Sequence, residues 1–155
     1  MKITFTVINK SNPQYIKIAA DNFITRINRY FQTDFIEINV KYKSKDALQM
    51  KKEEAVHLIK AMQKADLNIL LDENGKTFTS VKFADFLQQK MNQSVKHIQF
   101  IVGGAYGFSD DVYKQANMKM SLSDMTFSHQ LIRVIFLEQL YRGISIIKGL
   151  PYHNE

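Results

Sequence analysis

The sequence contains no cysteine, and this absence excludes several kinds of site at once. Without cysteine there is no disulfide, no thiolate zinc site and no cysteine nucleophile, and such a chain suits a reducing cytoplasm. No run of about 18 uncharged apolar residues occurs, so no membrane span is expected. The opening segment is too short and too polar for a signal peptide, because Asn9 and Lys10 end its apolar run. We therefore expect a cytoplasmic protein.

Arginine is also scarce, with four arginines against 17 lysines. The net charge of +6 is compatible with contacts to nucleic-acid phosphates, and equally with a solvated lysine-rich surface. Five lysines fall within residues 41–52: Lys41, Lys43, Lys45, Lys51 and Lys52. This lysine segment is predicted either to contact phosphates or to form a mobile surface loop.

Strand-like and helix-like patterns alternate along the whole chain. Strands are predicted over residues 2–8, 35–40, 67–71, 98–102 and 118–122. Helices are predicted from the Ser11-Asn12-Pro13 cap to about residue 30, and over 46–65, 80–92, 109–117 and 127–148. The alternation predicts one α/β domain over residues 1–155, with a mostly parallel sheet and helices on both of its faces.

Three predicted strands end where a ligand would bind. In an open parallel sheet, ligands bind beyond the carboxyl ends of the strands, and three turns follow Leu71, Val102 and Leu122. If those strands are neighbours, their turns form one pocket. Gly103 and Gly104 would let the backbone approach a ligand closely, although a glycine turn after a strand is more often structural. Its spacing does not match a dinucleotide-binding fingerprint.

The final predicted helix has apolar residues on every side: Leu131, Val134, Ile135, Phe136, Leu137, Leu140, Tyr141, Ile144, Ile146 and Ile147. A helix of this kind is buried all round, which predicts the sheet on one face and a second subunit on the other. Two polar pairs, His129 with Arg133 and Glu138 with Arg142, each share a face at i,i+4 spacing. These pairs either neutralise the helix locally or point into a site.

Few other constellations in the sequence predict chemistry. No set of His, Asp and Glu has metal-ligand spacing, so no metal is expected, and no serine-centred triad is found. The tail after Gly149 would fray unless something held it. Pro151 stiffens the approach to Tyr152 and His153, which favours a docked tail.

Three segments carry a resemblance to a known family: the turn of Gly103-Gly104 with Gly107, the run LSDMTFSHQLIRVIFLEQLYRG from Leu122, and the closing PYH-x-E. They resemble the ribosomal large-subunit pseudouridine N3-methyltransferases. These belong to the SPOUT class of trefoil-knotted, S-adenosylmethionine-dependent RNA methyltransferases. The resemblance runs from the opening MKI to the closing glutamate.

The resemblance implies a C-terminal trefoil knot, a homodimer and S-adenosylmethionine as cofactor. The positions that match the cofactor site are Leu71, Gly103, Leu122, Ser123, Asp124, Met125, Thr126 and Phe127. The implied substrate is a pseudouridine of 23S rRNA within the assembled 70S ribosome.

We expect the catalytic groups to come from the tail, supplied across the dimer. Tyr152 would stack on or bond to the target base, and His153 would assist its deprotonation or position it. Arg142 would act with them, oriented by Glu138. His129 and Arg133, together with Glu138, would contact RNA or organise the site.

The chain departs from the family pattern at three positions. Asn9 replaces a glycine, Ser128 replaces a proline, and Asn154 replaces an arginine that could contact phosphate. Two alternatives remain at this point: a methyltransferase of the same fold that acts on another RNA such as tRNA, and a non-catalytic RNA-binding or ribosome-binding protein.

Overall fold

A computed structural model describes residues 1–154 and confirms the predicted alternation of five strands with five helices. The elements are β1 (Lys2–Ile8), α1 (Gln14–Ile27), β2 (Thr33–Ile38), α2 (Ala47–Met62), β3 (Leu67–Thr77), α3 (Ser80–Asn92), β4 (His97–Val102), α4 (Asp110–Gln115), β5 (Met118–Ser121) and α5 (Leu131–Ile147). Glu155, the last residue of the PYH-x-E motif, lies outside the described residues.

The described strands form one parallel sheet in the order β2-β1-β4-β3-β5. Phe5 of β1 lies opposite Phe35 of β2 and Phe100 of β4, which fixes the register at the centre of the sheet. Because β4, β3 and β5 are neighbours, their carboxyl ends meet at one edge. The sequence prediction that these three strand ends come together is confirmed.

Helices cover both faces of the sheet, as predicted. The larger core lies under α1, α3 and α5, where the ring of Phe136 packs 4.6 Å from Phe5 and 4.7 Å from Phe100, measured between centroids. The smaller core lies under α2 and α4, around Leu58 and Val112. Full burial of such side chains contributes about 1.5–3 kcal/mol each, so α5 is fixed firmly against the centre of the sheet.

β3 extends beyond its predicted end. Leu71 and Lys76 both lie opposite Met120 of β5, so the four residues between them bulge out of the ladder. An added Cβ on Gly75 would lie 2.5 Å from the Met120 amide nitrogen, so only glycine fits this close passage. The turn predicted at residues 72–75 is therefore present as a projection within a strand.

Helices α1 and α5 begin later than predicted. The cap of α1 falls on Pro13, because Ser11 is engaged elsewhere: its N–H donates to Glu37 (2.7 Å) and its hydroxyl accepts from Arg133 (3.1 Å). α5 begins at Leu131, four residues after the predicted start. Both helices start beside the edge where β3, β4 and β5 end.

Within residues 1–154, no helix combines the length and the apolar character that crossing a membrane requires. The same part of the chain holds no group of three or more His, Asp or Glu side chains placed to bind a metal ion.

Candidate active site

A cleft of about 530 Å³ opens at the shared carboxyl edge of β3, β4 and β5. Its walls are the β3 projection, the glycine turn after β4, and the segment that joins β5 to α5. This volume lies within the range of small-molecule sites, about 300–1,000 Å³. The cleft occupies the position where a parallel sheet binds its ligand.

Seven of the eight predicted cofactor residues line this cleft: Leu71, Gly103, Leu122, Ser123, Met125, Thr126 and Phe127. The eighth, Asp124, is exposed and is not part of the cleft wall. Met125 is 75% exposed, which leaves an apolar surface at the cleft for a ligand to cover.

Short-range hydrogen bonds shape the segment between β5 and α5. The Ser121 hydroxyl donates to the Ser123 carbonyl (2.8 Å), and the Ser123 hydroxyl accepts the Met125 N–H (2.9 Å). At the far end, the Ser128 hydroxyl accepts the Leu131 N–H (3.1 Å) at the start of α5. Ser128, which stands where the family pattern has proline, therefore supplies a hydrogen-bond acceptor that the proline side chain lacks.

The glycine turn needs its glycines for its own geometry. The Gly107 N–H donates to the Gly104 carbonyl (3.1 Å), and Gly107 has a left-handed backbone (φ +74°). A Cβ on Gly103 would lie 3.1 Å from the Gly107 carbonyl oxygen. The turn is thus compact, and it presents backbone to the cleft.

Sequence reasoning missed a bonded pair at the cleft, Tyr113 of α4 and Asp72 of the β3 projection. Both line the cleft, and the Tyr113 hydroxyl donates to the Asp72 carboxylate at 2.5 Å. Burial, and then the bond to Asp72, raise the pKa of Tyr113 well above its ordinary value, so the hydroxyl keeps its proton. The sequence signal for Asp72 was its place directly after a buried strand. No sequence signal pointed to its partner Tyr113, 41 positions later.

His129 lies in the cleft wall rather than within α5. Burial, and then the neighbouring Arg133 guanidinium, lower the pKa of His129 below its ordinary value. At pH 7 the neutral imidazole is therefore favoured. A neutral ring in the cleft can accept a proton.

Arg133 is fully buried and fastens three segments together. Its guanidinium donates to the carbonyl oxygens of Ile8 (2.7 Å), Asn9 (3.0 Å) and His129 (3.0 Å). The i,i+4 contact with His129 thus involves the backbone of His129 and not its ring. Contact of Arg133 with RNA does not fit this placement, because no part of its side chain is exposed. The alternative expectation, that it organises the site, does fit.

The predicted tail residues form a cluster on α5. The Arg142 guanidinium donates to Glu138 (2.5 and 3.1 Å) and to His153 Nδ1 (3.3 Å). The Tyr152 hydroxyl also donates to Glu138, at 3.2 Å. Burial, and then Glu138, raise the pKa of Tyr152. The tail is therefore docked, as its proline predicted.

Arg26 of α1 completes the cluster, and sequence reasoning missed it. Its guanidinium carbon lies 4.0 Å from the ring centre of Tyr141 and 5.1 Å from that of Tyr152. The two tyrosine rings meet edge to face at 4.7 Å. Tyr141 is buried under these contacts, whereas Arg26, Arg142 and Tyr152 are partly exposed and form a cationic, aromatic surface of the kind that contacts nucleobases.

This cluster lies away from the cleft of its own chain. The cleft reaches α5 only as far as Ile132, and Arg142 lies ten residues further on. At 1.5 Å per residue, the separation along the helix is about 15 Å. Within one chain, the predicted catalytic residues are therefore not brought to the predicted cofactor residues.

Exposed apolar side chains lie at the beginnings of α1 and α5, next to the cleft. Tyr15 is 66% exposed, Ile18 62% and Leu131 44%. The two helices are joined there by the Asn12 N–H, which donates to the Gln130 side chain at 2.9 Å. These side chains are candidates for contact with a partner protein.

Comparisons with known proteins agree with this architecture. The family model described as "Predicted SPOUT methyltransferase" matches residues 1–153. The chain is 45% identical over 157 residues to the "Ribosomal RNA large subunit methyltransferase H" of Flavobacterium psychrophilum, with 100% of both chains covered. It is 43% identical over 158 residues to the protein of the same name from Bacteroides thetaiotaomicron, again with 100% of both covered.

A solved structure shows the same fold at much lower sequence identity. The structure of a probable methyltransferase from Bordetella pertussis Tohama I matches with a TM-score of 0.58 at 12% identity, over 92% of this chain and 96% of that one. The single-domain α/β fold predicted from the alternation of strands and helices is confirmed, and so is the SPOUT class that the resemblance implied. With a family model that spans nearly the whole sequence and full-length relatives above 40% identity, this chain belongs to the SPOUT methyltransferase family.

Proposed function

We propose that this protein transfers a methyl group from S-adenosylmethionine to N3 of a pseudouridine in 23S rRNA, on the assembled 70S ribosome in the cytoplasm. The observation that carries the proposal is the cleft, because two of the segments that carry the family resemblance line it: the glycine turn at Gly103-Gly104 and the start of the run from Leu122. The full-length relatives are named for methylation of large-subunit ribosomal RNA. The choice of pseudouridine N3 follows from the resemblance in the sequence.

The cleft suits S-adenosylmethionine, which supplies an electrophilic methyl group on a sulfonium sulfur. Leu122, Met125 and Ile132 offer apolar surface for an adenine ring, and the turn at Gly103 lets backbone approach the ligand. Asp72 and Glu73 place carboxylates at the same cleft for the cationic parts of the molecule. The contribution of the chain is to hold the methyl carbon in line with the target nitrogen.

The chemical step needs a proton acceptor and a group that stabilises charge. N3 of a pseudouridine lies between two carbonyl groups, so loss of its proton spreads negative charge onto their oxygens. His129 lies in the cleft, its lowered pKa favours the neutral ring, and we assign it as the proton acceptor.

The tail cluster is suited to stabilise the anionic base. Arginine only donates hydrogen bonds, so His153 Nδ1 accepts from Arg142, and a neutral ring then carries its proton on Nε2. That Nε2–H would donate to a carbonyl oxygen of the base while Arg142 supplies positive charge. Of the two predicted roles of His153, this geometry supports positioning of the base over its deprotonation.

A homodimer would bring the two halves of the site together. The tail cluster is about 15 Å along α5 from its own cleft. Exposed apolar side chains lie at the starts of α1 and α5, which Asn12 and Gln130 join next to the cleft residue His129. A second copy packed there covers these side chains and places its tail over the cleft.

The lysine segment would contact rRNA phosphates. Lys41, Lys43 and Lys45 are exposed, and the segment is tied to the glycine turn of the cleft through Tyr42 and Glu54. We expect replacement of the three lysines by glutamine to weaken ribosome binding. The slope of log affinity against log salt concentration should fall by about one unit for each phosphate that the variant no longer neutralises. Binding at several salt concentrations measures this, with Lys82→Gln, Lys90→Gln and Lys96→Gln as the charge-matched control. An unchanged slope in the first variant contradicts the assignment.

A transfer assay tests the proposed function. The purified protein is incubated with S-adenosylmethionine labelled in its methyl group and with 70S ribosomes, free 23S rRNA or tRNA. We expect label in 23S rRNA of ribosomes from a strain that lacks the gene, and none in tRNA. Label in tRNA alone indicates a different RNA substrate, and cofactor binding without transfer to any of the three contradicts the proposal.

A further inference from the structure

A buried carboxylate behind the cleft, Glu54 of α2, holds the glycine turn. Glu54 is 3% exposed. Its Oε2 accepts the Gly104 N–H at 3.2 Å, and its Oε1 accepts the Tyr42 hydroxyl at 2.7 Å. The Asn9 side-chain amide donates to the same hydroxyl at 2.9 Å. A continuous chain of hydrogen bonds thus runs from the end of β1 to the wall of the cleft.

The bonds of this network are mutually dependent. A buried carboxylate is costly unless hydrogen bonds satisfy it, and Glu54 receives two charge-assisted ones. Burial, and then the bond to Glu54, raise the pKa of Tyr42 to about 12, so its hydroxyl remains a donor. An added Cβ on Gly104 would collide with the carboxylate, so Glu54 can approach the turn this closely only because residue 104 is glycine.

Asn9 shows that the network is built on a departure from the family pattern. Its backbone is left-handed (φ 63°), a conformation that glycine adopts freely and asparagine tolerates better than most residues. The asparagine keeps the shape of the chain and adds a side chain, which accepts the Val40 N–H (3.2 Å) and donates to Tyr42. A glycine at position 9 offers neither bond.

The direction of one peptide group in the cleft wall follows from the bond to Glu54. The N–H and C=O of a trans peptide point in opposite directions. Since the Gly104 N–H points at Glu54, the Gly103 carbonyl of the same peptide points away from it. Glycine peptides reorient easily, so without this bond the wall would sample several orientations.

We propose that Glu54 is a positioning residue for the cofactor site: it fixes the Gly103–Gly104 peptide in the orientation that binds S-adenosylmethionine, with Tyr42 and Asn9 holding the carboxylate in place. The inference rests on the proposed function, because it takes the cleft as the cofactor site. Asn9, Tyr42 and Glu54 do not line the cleft. They therefore do not touch the cofactor, and the bond of Glu54 to the cleft wall is the one to the Gly104 N–H.

The test measures cofactor affinity separately from turnover in Glu54→Gln, Tyr42→Phe and the control Glu53→Gln. Glutamine keeps the shape of Glu54 but replaces one acceptor oxygen with an amide, so one of its two donors loses its acceptor. We expect Glu54→Gln to raise the Kd and the KM for S-adenosylmethionine about tenfold, and Tyr42→Phe to raise them about threefold. kcat at saturating cofactor should stay within about twofold. Glu53 is the adjacent carboxylate on α2, and its substitution should change neither constant.

The outcomes separate this inference from the function on which it rests. If wild type binds S-adenosylmethionine and Glu54→Gln binds it equally well, the role of Glu54 is contradicted and the function stands. A loss of kcat with unchanged KM also contradicts it, because it indicates less folded enzyme or an altered His129, whose pKa the Glu54 charge raises, and not a misplaced wall. If Glu54→Gln does not fold, Tyr42→Phe still tests the inference. This variant removes the hydroxyl that holds the Glu54 carboxylate in place but keeps the bond from the Gly104 N–H. Failure of wild type to bind S-adenosylmethionine overturns the proposed function itself.

Discussion

Replacing Arg142 with alanine should slow methylation of ribosomes about a hundredfold or more while the affinity for S-adenosylmethionine stays within about twofold. The guanidinium bonds to His153 and Glu138 and lies 5.0 Å from the ring centre of Tyr152, so its loss removes a positive charge and releases the tail. The affinity for S-adenosylmethionine should not change, because Arg142 does not line the cleft. His153→Ala should likewise slow methylation and leave the affinity for S-adenosylmethionine unchanged. Single-turnover rates measure methylation, and calorimetric titration measures the affinity.

The matched control is Arg29→Ala, which removes an exposed arginine just beyond the end of α1. Mixed dimers add a second test of the tail. A protomer with Arg142→Ala, co-expressed with a protomer whose cleft is blocked by Thr126→Arg, should recover about a quarter of wild-type activity, because half of the dimers formed carry one intact composite site. Wild-type rates in Arg142→Ala and His153→Ala contradict the role of the tail. Absence of recovery in the mixture contradicts its action across the dimer.

Replacing Arg133 with methionine should lower the free energy of unfolding by about 3–5 kcal/mol. Methionine fills part of the space but leaves the carbonyl groups of Ile8, Asn9 and His129 without their donor in a buried place. For a chain of this length, the expected fall in Tm is roughly 10 °C. Urea denaturation and thermal melting measure the two quantities.

The same substitution should also weaken cofactor binding, because the carbonyl of His129 anchors the segment that forms one wall of the cleft. Arg133→Lys should give an intermediate loss, since lysine keeps the charge but lacks the planar fork. Arg29→Met is the control and should change stability by no more than about 0.5 kcal/mol. A Tm for Arg133→Met within the error of wild type contradicts the view that this arginine fastens the strand, the cleft segment and α5 together.

Local pattern and chain topology were sufficient to predict the sheet and the place of the cleft. The points where the apolar runs of β3, β4 and β5 stop could be identified, because Asp72, Gly103 and Ser123 follow them. β3 itself continues past this point to Thr77. Parallel topology then places the carboxyl ends of the three runs on one edge. Predicted boundaries failed where tertiary bonds override local preference, as at Ser11, which bonds to Glu37 instead of capping α1.

Partnerships between residues far apart in the sequence could not be predicted from spacing. Arg133 and Arg142 are both arginines of one helix, yet one is fully buried and the other is about a quarter exposed. Nothing local distinguishes them, because burial depends on what α1 and β1 bring to each face. Glu54 is likewise one of several charged residues in α2, and only the fold places it behind Gly104.

The departures from the family pattern have different consequences in the structure. Asn9 keeps the left-handed backbone that glycine would adopt and adds a side-chain hydrogen bond, and the Ser128 hydroxyl accepts the Leu131 N–H. Asn154 is exposed beyond the docked tail. Its amide lacks the charge of an arginine, so the cationic surface of the tail depends on Arg142 and Arg26.

The central claim is that this chain makes N3-methylated pseudouridine in 23S rRNA, and nucleoside mass spectrometry tests it most directly. The rRNA is taken from a strain in which the gene is deleted, and from the same strain complemented with wild type or with Arg142→Ala. The account predicts that the methylated pseudouridine disappears on deletion, returns with wild type, and returns only at a trace level with the variant. An undiminished amount of this nucleoside in the deletion strain would contradict it.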